Sequence, residues 1–93
     1  MNDKLQKLLN DLHISKEGKM NGNKYIITLD NSDDFSRMYT ILDKYPEASL
    51  DPEGMIMSDS SSVMVYLTDD FDITLKADFD RDAYYVIIEE AQF

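Results

Sequence analysis

The chain has 93 residues, no cysteine, and nineteen acids against nine Lys and Arg, for a formal net charge of −10. That length makes one domain over 1–93, with a single core between a sheet and one helical layer. The missing cysteines exclude disulfides and thiolate metal sites and are compatible with a cytoplasmic life, while the charge opposes direct contact with nucleic acid or an acidic membrane leaflet.

The charge is also uneven. Residues 1–24 carry five bases and three acids, a net of +2, and residues 25–93 carry four bases and sixteen acids, a net of −12. Met1 to Lys4 leads into an amphipathic stretch, not the apolar core of a signal peptide. The longest apolar run, Tyr84–Ile88, is far too short for a membrane span.

The spacing predicts a first helix from Asp3 to His13, with Leu5, Leu8, Leu9 and Leu12 on one stripe and Asn2 or Asp3 as its cap. Asn21-Gly22 signals a type I′ turn, which needs positive φ at both central residues. It is followed by a strand at Lys24–Leu29 and preceded by a weaker, mostly polar strand over Ser15–Met20. Either Asn31 or Ser32 caps a second helix, whose stripe is Phe35, Met38, Tyr39 and Leu42 and which Pro46 stops. From Gly54 the period changes to two, and Met55–Ser58, Ser62–Thr68, Phe71–Ala77 and Ala83–Glu89 read as strands joined by short acidic turns. Short links make neighbouring strands antiparallel. The expected fold is α+β: α-β-α and then a four-stranded meander, in a mainly antiparallel four- to five-stranded sheet with two helices packed on it.

Little in the chain points to catalysis. His13 is the single histidine, and it lies beside a leucine stripe with no second histidine or cysteine to share a metal. Asp78 to Glu89 places acids at positions one, three, five and twelve of a calcium loop. Position six, however, is Ala83, where the sharp turn needs glycine, so an acidic turn leading into a strand fits better. Gly18, Gly22 and Gly54 are too scattered to cradle a phosphate. No cofactor, no metal and no enzymatic reaction is expected.

The meander gives the acids a geometry. Alternate turns share one end of the sheet, so Asp51, Glu53, Asp69, Asp70, Glu89 and Glu90 should gather as a carboxylate rim, with Asp72 just inside and no base among them. The other end collects Asp59, Asp78, Asp80 and Asp82 around Arg81. The strands also suggest an apolar surface. Three of them are apolar on both faces, so if both helices lie on one face the other keeps an exposed patch. That patch is either Met64, Tyr66, Tyr84, Val86 and Ile88 or their alternates.

Two functions follow. The first is a non-catalytic acidic protein that binds a partner with a basic surface, such as the groove of a nucleic-acid-binding enzyme. In type it resembles phage-type and anti-CRISPR-type inhibitors and nucleic-acid mimics, which are short, acidic and cysteine-free, though no family motif supports the likeness. The alternative is an interaction module, a homo-oligomer, whose acidity serves solubility only.

Overall fold

Leu5, Leu8, Leu9 and Leu12 stack on one side when wound at 3.6 residues per turn, and the fold buries all four. The computed structural model describes residues 3–91, so the cap expected at Asn2 lies outside the described residues. Helix α1 spans Asp3–Asp11, two residues short of expectation, because His13 takes a left-handed φ of 58°. The His13 N–H bonds the Asn10 carbonyl at 3.1 Å and the Ile14 N–H bonds the Leu9 carbonyl at 2.9 Å. This bond pair closes a helix around a left-handed residue that is usually glycine.

Helix α2 spans Ser32–Lys44, and of the two candidate caps it is Asn31 whose side chain accepts the Asp34 N–H. Met38 and Leu42 are buried, with Phe35, Ile41 and Tyr45 packed beside them. The stripe is centred on Met38 and Leu42, about 80° around the axis from Tyr39, and Tyr39 is exposed rather than packed. Tyr45 is already extended, as the residue before Pro46 must be.

Six strands form one antiparallel sheet: β1 Lys19–Asn21, β2 Lys24–Leu29, β3 Ser49–Met57, β4 Ser61–Leu67, β5 Phe71–Asp78 and β6 Ala83–Glu90. Their spatial order is β1-β2-β6-β5-β4-β3. The four-stranded meander is present, with β2 alongside β6, and β1 brings the count to six. The β1–β2 loop is Gly22-Asn23, because Asn21 pairs with Lys24. Only Gly22 has positive φ, at 64°, which is the sign pattern of a II′ turn and not of the expected I′. Strand β3 starts earlier than its alternation suggests, and its pairing with β4 jumps between Asp51 and Ile56.

Both helices pack on one face of the sheet. Residues directly opposite in an antiparallel pair share a face, so the rows Tyr66–Ile73–Ile88–Tyr25 and Met64–Leu75–Val86–Ile27 all point toward the helices. Each fully buried Leu, Ile or Val there contributes about 1.5–3 kcal/mol through removal of its surface from water. This decides between the two sets of residues expected for the uncovered face. Met64, Tyr66, Tyr84, Val86 and Ile88 are core residues, with Tyr66 only 1% exposed, and their alternates form the other face.

Candidate functional site

The face away from the helices is built by three rows across the sheet. One runs Ser49–Leu67–Asp72–Glu89–Lys24–Asn21, the next Asp51–Val65–Thr74–Ile87–Ile26–Lys19, and the third Ile56–Val63–Lys76–Tyr85–Thr28. Ile26, Ile87, Val65, Val63 and Tyr85 are all half-buried in these rows with no helix above them. Gly54 closes over one edge of the face. A Cβ at Gly54 would lie 2.8 Å from Val65 Cγ2, so the residues inserted at 52–55 lean onto Val65.

Three of the expected rim acids meet here. Asp72 lies directly across from Glu89, and Asp51 is one row away. Burial, and then the charges of Glu89 and Asp51, push the Asp72 carboxyl above its usual range. Like charges directly opposite on a sheet destabilise it, so this arrangement costs the free protein stability and favours an arriving cation.

The remaining rim residues separate. Asp69 and Asp70 occupy the β4–β5 turn, Glu53 lies in the irregular stretch of the edge strand β3, and Glu90 pairs with Phe71 on the helix side. Nor is the rim free of bases, as had been expected. Lys4 Nζ stands 3.3 Å from Asp70, and Lys24 is the cross-strand neighbour of Glu89. The helix α1 and strand β2 bring these bases in, and turn positions within the meander alone do not reveal them.

At the opposite end one pair of the expected cluster forms, Arg81 with Asp78. The Phe79 N–H bonds the Ser60 carbonyl at 2.9 Å, joining the two turns, and Arg81 Nε lies 3.8 Å from Asp78. The calcium-loop spacing is broken by the strand itself. Asp78 pairs with Ala83 at this end, while Glu89 pairs with Asp72 at the other, roughly 20 Å along β6. Among the described residues no three His, Asp or Glu side chains gather as a metal cluster.

A cleft of about 220 Å³ lies between α1 and the 68–70 turn. Its two lysines are both paired, Lys4 with Asp70 and Lys7 with Asp11 at 2.9 Å, and the Tyr45 hydroxyl donates to Asp11 at 3.0 Å. The bond from Lys7 holds Asp11 below its usual range. His13 is exposed and serves as the helix stop.

The charges also divide across the sheet. Residues 45–75, which form β3, β4 and most of β5, hold seven acids (Glu47, Asp51, Glu53, Asp59, Asp69, Asp70 and Asp72) and no base. The β1–β2 edge carries Lys19 and Lys24. The fold is thus α+β, an antiparallel sheet with two helices on one face, and the stretch that forms β3, β4 and most of β5 is its acidic half. No protein-family model, curated protein or solved structure matches the chain. Among the described residues no helix is long and apolar enough to cross a membrane.

Proposed function

We propose that this is a non-catalytic acidic protein that binds a basic protein surface through the Asp51, Asp72 and Glu89 end of its open sheet face. The observation that carries the reading is the Asp72–Glu89 pair, two carboxylates directly opposite each other with Asp51 nearby. A basic partner relieves that repulsion, so part of its binding energy comes from strain already present in the free protein. The partner class follows from the base-free stretch 45–75: lysine- and arginine-lined grooves, as in nucleic-acid-binding enzymes, complement it. A phage-type inhibitor that mimics nucleic acid is the most specific form of this reading.

The test is displacement of a fluorescent DNA duplex from a panel of nucleic-acid-binding enzymes, at low and moderate salt. At least one duplex should be displaced, with an affinity falling steeply with salt. The variant Asp51→Asn/Asp72→Asn/Glu89→Gln should lose about tenfold or more of that affinity. Equal competition by the variant, or none by the native protein, would remove the reading.

A second reading has its own observation. The half-buried Ile26, Ile87, Val65, Val63 and Tyr85 share the uncovered face, and contiguous apolar surface commonly marks an interface. A homo-oligomer through that face would show by light scattering as a dimer insensitive to salt, and Ile87→Glu would dissociate it.

A further inference from the structure

Strand β3 ends the sheet on one side and β1 on the other, and the two edges are built differently. β1 is three residues long and carries Lys19 and Asn21, the short lysine-bearing design that resists pairing with other chains. β3 has nine residues. Its first half is interrupted by the insertion and Pro52, but regular pairing resumes at Ile56. There Met55, Ile56 and Met57 are 39%, 59% and 65% exposed, with no lysine among them.

The hydrogen-bond alternation shows which backbone groups are open. The Ser58 N–H donates to the Ser61 carbonyl at 2.9 Å, so Ser58 and Ser61 form a hydrogen-bonded pair. Alternation makes Met57–Ser62 the next, non-bonded pair and Ile56–Val63 a bonded one. The amide and carbonyl of Met57 therefore point away from β4, toward the free edge.

We infer that the Met55–Met57 edge accepts an extended, lysine- or arginine-bearing segment of a partner protein as a further strand. The inference rests on the basic-partner reading above and adds a backbone contact to it. Charge selects the occupant. A second copy paired antiparallel about Ile56 would set Glu53 against Asp59 and bring together two chains of −10 each. A segment alternating basic and apolar residues instead meets Glu53 and Asp59 with its cations. Its apolar side chains share one face of the added strand and cover Ile56 on the open face.

The probe is an alternating Lys-Val octapeptide, and its binding to the full chain is followed by NMR with amide exchange. Met57→Pro leaves the β3–β4 backbone hydrogen bonds in place, because the amide it removes faces outward; it takes away the Met57 sulfur that accepts from the Ser62 hydroxyl, and it blocks strand addition. Bound peptide should slow exchange of the Met57 amide by about tenfold or more, as a newly made backbone bond does. Met57→Pro should weaken binding by about the same factor. If Met57→Pro does not fold, the exchange of the native Met57 amide decides alone. A peptide that binds without slowing Met57 overturns the edge site. If the triple variant Asp51→Asn/Asp72→Asn/Glu89→Gln still weakens that binding, the basic-partner reading survives. A peptide that does not bind at low salt also overturns the inference, and DNA displacement then judges the reading separately. A peptide-free dimer dissociated by Met57→Pro assigns the edge to a second copy and overturns it as well.

Discussion

His13 and Tyr66 show how one residue can be explained by conformation or burial without any chemistry. His13 stops α1 from a left-handed φ of 58°, a conformation that costs a side-chain-bearing residue about 1 kcal/mol relative to glycine. His13→Gly should therefore raise the unfolding free energy by about 0.5–1 kcal/mol in a urea titration, and a loss would mean that the imidazole has a role beyond the cap. Tyr66 is buried against α2, and its hydroxyl meets no hydrogen-bonding partner among the described residues. Burial first, then the charges of Tyr39 and Asp43, push its phenol up to about 12 from an ordinary 10.0. The fold thus favours the neutral phenol. That preference is fully present below pH 10 and is lost as pH rises from about 10 through about 12. Burial also raises Tyr45, with help from its bonds to Asp11 and Glu47. Tyr66→Phe should leave the urea midpoint at pH 7 unchanged or slightly higher, since an unpaired buried hydroxyl gives nothing back. The same substitution should flatten the stability loss between pH 10 and 12, and a marked loss at pH 7 would show that the hydroxyl is satisfied in solution.

Strands and their pairing account for the next scale. Asp72 opposes Glu89 across β5 and β6, and the Asp72 carboxyl is raised mainly by burial. A raised carboxyl is at ease while protonated and becomes a burden as it ionises, so the sign is clear: the penalty is absent in acid and present at neutral pH. Asp72→Asn should raise stability at pH 7 by about 0.5 kcal/mol, with the gain disappearing toward pH 3. A variant less stable than the native protein at pH 7 would contradict the repulsion. Gly54 belongs to the same face. Its missing Cβ leaves room for Val65, which a methyl group would meet at 2.8 Å. Gly54→Ala should cost about 1–3 kcal/mol by overpacking, and a paired Val65→Ala should recover part of it; independent, additive losses would place the two residues apart.

The whole molecule carries −10, with the base-free stretch 45–75 on one side of the sheet. Self-repulsion of that size weakens the compact state, and salt screens it within about 10 Å at 0.1 M. Millimolar Ca²⁺ and Mg²⁺ should therefore raise the melting temperature equally, by screening alone. A saturable shift specific to calcium and lost in Asp78→Ala would expose a site in the 78–82 turn. Cooperative unfolding is expected to depend on the helix face, where Leu75→Ala should cost about 2–5 kcal/mol, most of the margin of a domain this size.

Local rules were enough for the parts where each residue answers to its neighbours. The leucine stripe of α1, a cap at Asn31 or Ser32, a turn at Gly22, the Pro46 stop, and β4, β5, β6 and the second half of β3 all follow from spacing, dihedral preference and period-two alternation. The first half of β3 does not, and β1 overlaps the weak strand expected at 15–20 only at Lys19 and Met20, because edge strands exposed on both faces carry no burial period and β3 is broken by an insertion at Pro52. The choice of buried face was also legible, though only by combining two signals. Phe71, Ile73, Leu75 and Ala77 alternate with polar residues, and antiparallel pairing carries that face across to Tyr66, Val86 and Ile88. Read strand by strand, β4 and β6 are apolar on both sides and their own patterns cannot choose. The tertiary structure made that choice by laying both helices on one face, and the same packing set Lys4 beside Asp70 and left Asp51, Asp72 and Glu89 together. Alternation is a property of one strand, whereas a face and a charge cluster exist only once strands from distant parts of the chain are in register.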